Sequence, residues 1–407
     1  MPPDPAHAAL AELVAKLRSN LDDEPTWSVL GDLLASRGDA RGELIALEQQ
    51  LASLAGNDAS RLQHDVLAHR VAELASQLGR ESLGLLATAT NLEVTRWKRG
   101  FVLAATIHGR PAGSRSSPGI VDTLERLLVR PCAPLLRELV IPRPSSCRKA
   151  ARLLARAAIE GLAIVESLSL PHARCERFAA LAELEHLHSL ALGSTQVTDL
   201  ATLRELPRLT TLDLSRSRVD LGTLAEGFDA LRTLDLRGYP LDAPLEPLRS
   251  RVELRELDLG EAPWRELEPL APLRGLERLH LRSTDAFDLR PLAGLSKLAF
   301  LDLRGSPVSD LEPLAGLELE ELRIGHTRVR DLRPLRTLRK LAVVELAGTP
   351  VKDLGPLLDL PALTKVDIKG SEVGDVEPLL ARGVQVIGRP PPRPRTWRDL
   401  ADDLLRG

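Results

Sequence analysis

From Leu187 onward one hexapeptide frame, Leu-x-x-Leu-x-Leu, returns about every 22 residues. It stands at Leu187/Leu190/Leu192, Leu209/Leu212/Leu214, Leu231/Leu234/Leu236, Leu254/Leu257/Leu259, Leu276/Leu279/Leu281 and Leu298/Leu301/Leu303. It continues at Leu319/Leu322/Ile324, Leu341/Val344/Leu346 and Leu363/Val366/Ile368. A unit this short cannot bury its own apolar face, so successive copies must stack into a solenoid with one shared core. The period-two alternation inside the frame predicts a short strand in each copy, leucines inward and the intervening residues on the open concave face. A surface of this kind suits binding better than chemistry.

Composition narrows the partner. Aromatics are 2% of the chain and the formal net charge is only -3, which gives no general pull toward nucleic acid or an anionic membrane, so neither is expected to bind. Cys132, Cys147 and Cys175 form neither a Cys-x-x-Cys metal pair nor a disulfide framework and read as reduced structural thiols. The start, Met1-Pro2-Pro3-Asp4-Pro5, lacks a basic n-region and an apolar h-region, and no apolar run reaches transmembrane length. The expectation is a soluble, cytoplasmic protein, monomeric when alone.

Residues 1–90 read as a helical N-terminal cap, 91–388 as the solenoid and 389–407 as a Pro/Arg-rich spacer with a C-terminal capping helix. In the cap, Leu10, Leu13, Val14 and Leu17 and then Trp27, Leu30, Leu33 and Leu34 fall at helical spacing, with Asp23 or Glu24 as N-cap and Pro25 in the first turn of the second helix. A third helix opens at Arg41-Gly42-Glu43-Leu44-Ile45. Leu62, Val66, Leu67, Val71, Leu74 and Leu78 predict one buried stripe on a fourth. Val102 to Ile107 reads as the first strand, Gly109 to Gly119 as a loop and Ile120 to Val129 as a helix. Leu136/Leu139/Ile141 and Val165/Leu168/Leu170 restate the strand frame in longer repeats, of about 34 and 29 residues, whose convex side is filled by helix. At the far end Arg389-Pro390-Pro391-Pro392-Arg393-Pro394-Arg395 reads as extended spacer and Thr396-Trp397-Arg398-Asp399 as a capping box.

Two stretches resemble known families. Leu21-Asp22-Asp23-Glu24-Pro25, Gly31-Asp32-Leu33-Leu34 and Ser36-Arg37-Gly38-Asp39-Ala40-Arg41-Gly42-Glu43-Leu44-Ile45 resemble the "repeat-companion" domain found ahead of leucine-rich repeats in myxobacterial and planctomycete proteins. That resemblance covers about 45 residues and implies a bacterial protein of this architecture, without a function. It departs at Gly31-Asp32-Leu33-Leu34, where the family usually shows Ala-Asp-Trp-Leu, and at Leu44, which replaces the family's aromatic.

The late repeats resemble the short class of leucine-rich repeat seen in internalins and phosphatase-regulating repeat proteins. The implied fold class is an α/β solenoid with a parallel sheet on the concave face and short 3₁₀ or α segments on the convex one. After each strand a Val-x-Asp-Leu-x-Pro-Leu pattern supplies the turn: Asp199, Asp310, Asp331, Asp353 and Asp375 are placed to cap free N–H groups, with Pro313, Pro334 and Pro356 in the first turn. Where many family members carry Asn to bond between turns, this chain has Thr195, Ser217, Thr284, Ser306, Thr327, Thr349 and Ser371, and Tyr239 and Ala262 in two units. A hydroxyl donates once, so the inter-repeat ladder is expected to be weakest near Tyr239 and Ala262.

The candidate site is the concave face. One row holds Asp213, Asp235, Asp258, His280, Asp302, Arg323, Glu345 and Asp367; two residues on, another carries Arg237, Arg282 and Arg304. Strands about 4.8 Å apart would bring Asp213, Asp235 and Asp258 into a column whose neighbours repel by about 1 kcal/mol in water. Two readings stand. The arginines neutralise the carboxylates in an exposed lattice of little energetic worth, or the striped face recognises a protein of complementary charge across repeats two to six. On the second reading, reversing Asp235 and Asp258 to Lys weakens partner capture and leaves thermal unfolding nearly unchanged. Phe300, two residues before Asp302, is the one aromatic in the concave columns, and aromatic scarcity argues against a tight, small interface or a glycan ligand. Trp264 and Tyr239 read as turn packing, with a second contact patch as the alternative.

No catalytic, cofactor or metal motif occurs: there is no His-Glu-x-x-His, Gly-x-Ser-x-Gly or phosphate-cradling Gly-Lys-Ser/Thr, and His280 and His326 would lie roughly 10 Å apart. The expectation is therefore a noncatalytic protein-interaction scaffold that needs no cofactor. The alternative is the regulatory subunit of an enzyme such as a phosphatase or kinase, or a cryptic hydrolase.

Overall fold

The computed structural model describes residues 5–54, 61–108, 119–142, 147–160, 164–173, 179–198, 200–240 and 244–388. The expectations for Gly109 to Pro118, Cys175, Asp199 and the spacer and helix of 389–407 lie outside them. The chain forms two compact units, Met1–Asp213 and Leu214–Gly407.

In the first unit four helices, α1 (Pro5–Ser19), α2 (Glu24–Ala35), α3 (Arg41–Leu54) and α4 (Arg61–Leu83), precede a six-strand sheet. Asp23 is the N-cap of α2, its carboxylate accepting from Thr26 N at 3.2 Å, and Pro25 sits in the first turn. Strands β1 (Leu92–Lys98) and β2 (Phe101–Ile107) form an antiparallel hairpin. The sequence reading missed β1, whose mixed burial hides the alternation. Strands β3 (Glu138–Val140), β4 (Ser167–Ser169), β5 (Ser189–Ala191) and β6 (Thr211–Asp213) then add in parallel. Helices α5 (Ile120–Leu128) and α6 (Cys147–Ile159) fill the long early repeats as expected.

The helices join the sheet through one apolar cluster and a set of arginines. Val14, Leu17, Trp27, Leu30, Leu34 and Ile45 bury against Phe101, Leu103 and Leu135. Arg41 lies over the Phe101 ring at 4.7 Å, bonds Asp39 and donates to Pro131 O at 2.5 Å. Arg99, in the hairpin turn, stacks on Trp27 at 5.0 Å and donates to Glu24 at 2.7 Å. The Arg41-Gly42-Glu43 motif thus belongs to a joint. On α4 the expected stripe divides: Leu74 and Leu78 bury against Leu44 with Val71 beside them, but Leu62 and Val66 are exposed. The steps of 4, 3 and 4 residues from Leu67 to Leu78 keep to one face, which Leu62 and Val66 leave.

In the second unit eight strands run in chain order: β7 (Thr233–Asp235), β8 (Glu256–Asp258), β9 (Arg278–His280), β10 (Phe300–Asp302), β11 (Glu321–Arg323), β12 (Val343–Glu345), β13 (Lys365–Asp367) and β14 (Gln385–Ile387). All pair in parallel, with Leu234, Leu257, Leu279, Leu301, Leu322, Val344, Val366 and Val386 in one register line. These residues are fully or almost fully buried except Val386, at the last strand. The convex connections are 3₁₀ turns such as Glu268–Leu270 and Glu312–Leu314, with a short α7 (Glu377–Ala381). Asp310, Asp331, Asp353 and Asp375 cap as expected, each accepting the N–H two residues on at 2.7 to 3.0 Å.

The hydroxyl row does something other than expected. Thr284, Ser306, Thr327, Thr349 and Ser371 each donate to the carbonyl three residues back, closing their own turn instead of reaching the next repeat. Backbone carries the inter-repeat ladder: one residue earlier, left-handed positions aim their N–H at the following copy, as in Gly238 N to Gly260 O and Glu261 N to Arg282 O, both 2.7 Å. The ladder is therefore continuous past Tyr239 and Ala262. Tyr239 also adds a link, donating its OH to Val219 O, and its ring stacks on Trp264 at 5.6 Å. Both rings are buried, which makes them packing and removes them as a contact patch.

Candidate functional site on the concave face

Strand pairing in the second unit puts Asp235, Asp258, His280, Asp302, Arg323, Glu345 and Asp367 in one continuous row. Asp213, at the end of β6, belongs to the first unit, in register with Ala191. Most of the row's carboxylates hold backbone. Asp235 accepts from Arg237 N at 2.8 Å, Asp258 from Gly260 N at 2.8 Å, Asp302 from Arg304 N at 3.1 Å and Asp367 from Lys369 N at 3.0 Å. The acid row is thus partly a set of strand-end caps, a role the i to i+2 spacing alone did not announce.

This revises the charge-reversal expectation. Asp258→Lys removes the acceptor of Gly260 N and should lower stability by about 1 kcal/mol, whereas Asp258→Asn keeps an oxygen in place and should leave thermal unfolding nearly unchanged. Equal melting temperatures for the two variants would refute the capping role.

The arginines are anchored. Arg304 forks onto Asp302, Nη2 to Oδ2 at 2.6 Å, and Asp302 is only 2% exposed. The same arginine lies 3.6 Å from Glu345, whose carboxyl is pushed up by burial and held partly in check by Arg304. Arg323 meets Glu321 at 2.6 Å. Arg282 pairs with Glu261, and Glu261 also receives Arg216 at 2.7 Å. Arg216 reaches that far because Gly238 lies beneath it: a Cβ there would come within 2.8 Å of Arg216 Cγ.

Hydrogen bonding from Arg216, then the charge of Arg282, holds the Glu261 carboxyl below the ordinary carboxylate range. A depressed pKa means stability that is fully present above the unfolded value of about 4.3 and is lost as pH falls through the folded one. The stability difference between wild type and Glu261→Gln, followed by urea midpoint from pH 7 to pH 3, is therefore expected to shrink on the acid side; a difference constant with pH would contradict it.

Phe300 is buried, at 3% exposure, and does not protrude as an anchor. Arg278 covers its ring at 4.1 Å and Arg323 at 5.1 Å, and the His280 ring tilts against it at 4.7 Å. Glu256 lies 3.5 Å from Arg278 and 3.7 Å from His280. Phe300 thus supports a cationic platform. Glu256, Arg278 and Glu321 were not singled out from sequence, although the same period-two alternation places them beside Phe300 on the concave face.

Among the described residues no group of three His, Cys, Asp or Glu side chains could hold a metal ion, and no helix is long and apolar enough to cross a membrane. No protein-family model matches the chain, and no curated protein does. Solved structures do. An internalin from Listeria monocytogenes matches 76% of this chain and 94% of its own, at 19% identity and a TM-score of 0.53. The fold is a leucine-rich-repeat solenoid. A leucine-rich-repeat protein from Leptospira interrogans matches 68% of this chain and 75% of its own, at 16% identity and a TM-score of 0.48. In this solenoid the strand row of charges is what distinguishes the concave face from the buried frame.

Proposed function

We propose that the chain is a noncatalytic scaffold of the bacterial cytoplasm that captures a protein partner on the concave wall of its second unit. The observation that carries this reading is the prior ordering of the wall's charged groups. Asp302 with Arg304, Arg323 with Glu321 and the Arg278–Phe300 stack sit on rigid strands, so a partner would immobilise few additional rotamers on meeting them. The N-terminal helices are read as a companion module that seals the first repeats through Arg41, Arg99 and the Phe101 cluster.

The test is capture from an extract of the source organism by the full chain and by a variant carrying Arg278→Gln, Arg282→Gln and Arg304→Gln. Loss of the captured protein from the variant, with unfolding of both chains followed alongside, supports the reading. Capture that is unchanged by the three substitutions rejects it.

A further inference from the structure

We infer that the partner element this wall accepts is an α-helix lying lengthwise across the strands, with its own positive and negative side chains segregated into two neighbouring stripes. The inference rests on the reading of the wall as a binding face.

It begins with how the charges are sorted. The register row from Asp235 to Asp367 holds five carboxylates in seven positions, the others being His280 and Arg323. Arg323 is itself met by Glu321 at 2.6 Å. The row two residues on holds four cations, Arg237, Arg282, Arg304 and Lys369, and no carboxylate. Backbone bonds to the carbonyls of these four from the preceding repeat confirm that this second row is in register too. The wall therefore carries a mainly acidic row, interrupted at His280 and Arg323 and with Asp302 buried under Arg304, beside a row whose only charges are cations, interrupted at Gly260, Gly325 and Ala347; the two lie about 7 Å apart along the strands.

Spacing then selects the occupant. Successive repeats place like positions about 4.8 Å apart. A helix returns a residue to the same face every turn, about 5.4 Å, and so drifts by only about 0.6 Å per repeat, which long charged side chains absorb. An extended strand laid the same way returns a side chain to one face about every 6.8 Å and drifts by about 2 Å per repeat, out of step within two contacts. Six steps from Asp235 to Asp367 come to about 29 Å, the length of about 19 helical residues. A nucleic-acid strand would lay phosphates over the carboxylate line and is disfavoured.

The probe is a pair of isomeric alanine-based helical peptides of about 20 residues. In one, Lys and Glu occupy two adjacent stripes; in the other the same residues are spread around the helix. Fluorescence anisotropy with the full chain in 50 mM salt should show the striped peptide binding at least tenfold more tightly. That advantage should fall severalfold in a chain carrying Asp235→Asn and Asp258→Asn, which keep their backbone caps. Equal affinities for the two isomers, binding of neither, or tighter binding of a single-stranded oligonucleotide would overturn the inference. Partner capture that still depends on Arg278, Arg282 and Arg304 would, in those cases, leave the broader binding reading intact.

Discussion

Replacing Gly42 by alanine is expected to destabilise the helical part of Met1–Asp213 by about 3 kcal/mol, the upper end of what overpacking a tight contact costs. α2 and α3 approach so closely at this point that a Cβ on Gly42 would stand 2.5 Å from both Ala35 N and Gly31 O. These are backbone atoms, and neither can swing aside as a side-chain tip would; relief requires the helices to separate. Separation would open the cluster of Trp27, Leu30 and Ile45 against Phe101. Hydrogen exchange of α2 and α3 amides in the full chain is the direct readout, and about 3 kcal/mol corresponds to exchange faster by about a hundredfold. Gly79→Ala is the control: it lies within α4, its nearest new neighbour would be Trp97 Cζ2 at 3.8 Å, and alanine should be neutral or mildly stabilising there. Similar behaviour of the two variants would contradict the close-approach argument.

Phe300→Ala should be comparably costly in the second unit, about 3 to 4 kcal/mol, because a buried ring is lost and a cavity opens between strands. The consequence reaches the proposed binding face, since Arg278, Arg323 and His280 all rest on that ring. Phe300→Leu retains most of the volume and removes the cation–π support, worth about 1 kcal/mol where partly desolvated. The pair separates packing from platform. Urea midpoints should fall strongly for alanine and slightly for leucine, while peptide affinity should fall for both. An alanine variant that unfolds within 1 kcal/mol of wild type would show that the ring is not a support.

What the sequence made legible follows from how local each feature is. The solenoid, its strand frame and its convex caps were readable because a repeated leucine pattern and an Asp two residues before a turn act within a few residues of themselves. Strand β1 was not, because Leu92–Lys98 derives its pairing from Phe101–Ile107 and carries no clean alternation of its own. Nor was the role of the concave acids. Asp235, Asp258, Asp302 and Asp367 look from the sequence like free charges on an open face, and the turn that folds each backbone N–H back onto its carboxylate appears only in three dimensions. The Tyr239 region, expected to be weak for lack of a small hydroxyl, is held by the backbone ladder and by a longer side chain reaching the previous copy. Glu261 escaped notice for a related reason: its partners, Arg216 and Arg282, lie 45 and 21 residues away and meet only once the copies are stacked.

The proposed binding face is the concave wall of the second unit. Site-specific photo-cross-linking tests it most directly, with a photoreactive amino acid placed at Thr233 or Lys365 on the concave strands, or at Arg290 or Arg333 on the convex turns. With the captured partner present, cross-linked product is expected from the two concave positions and none above background from the convex pair. Product from Arg290 or Arg333, with the concave positions silent, would contradict it.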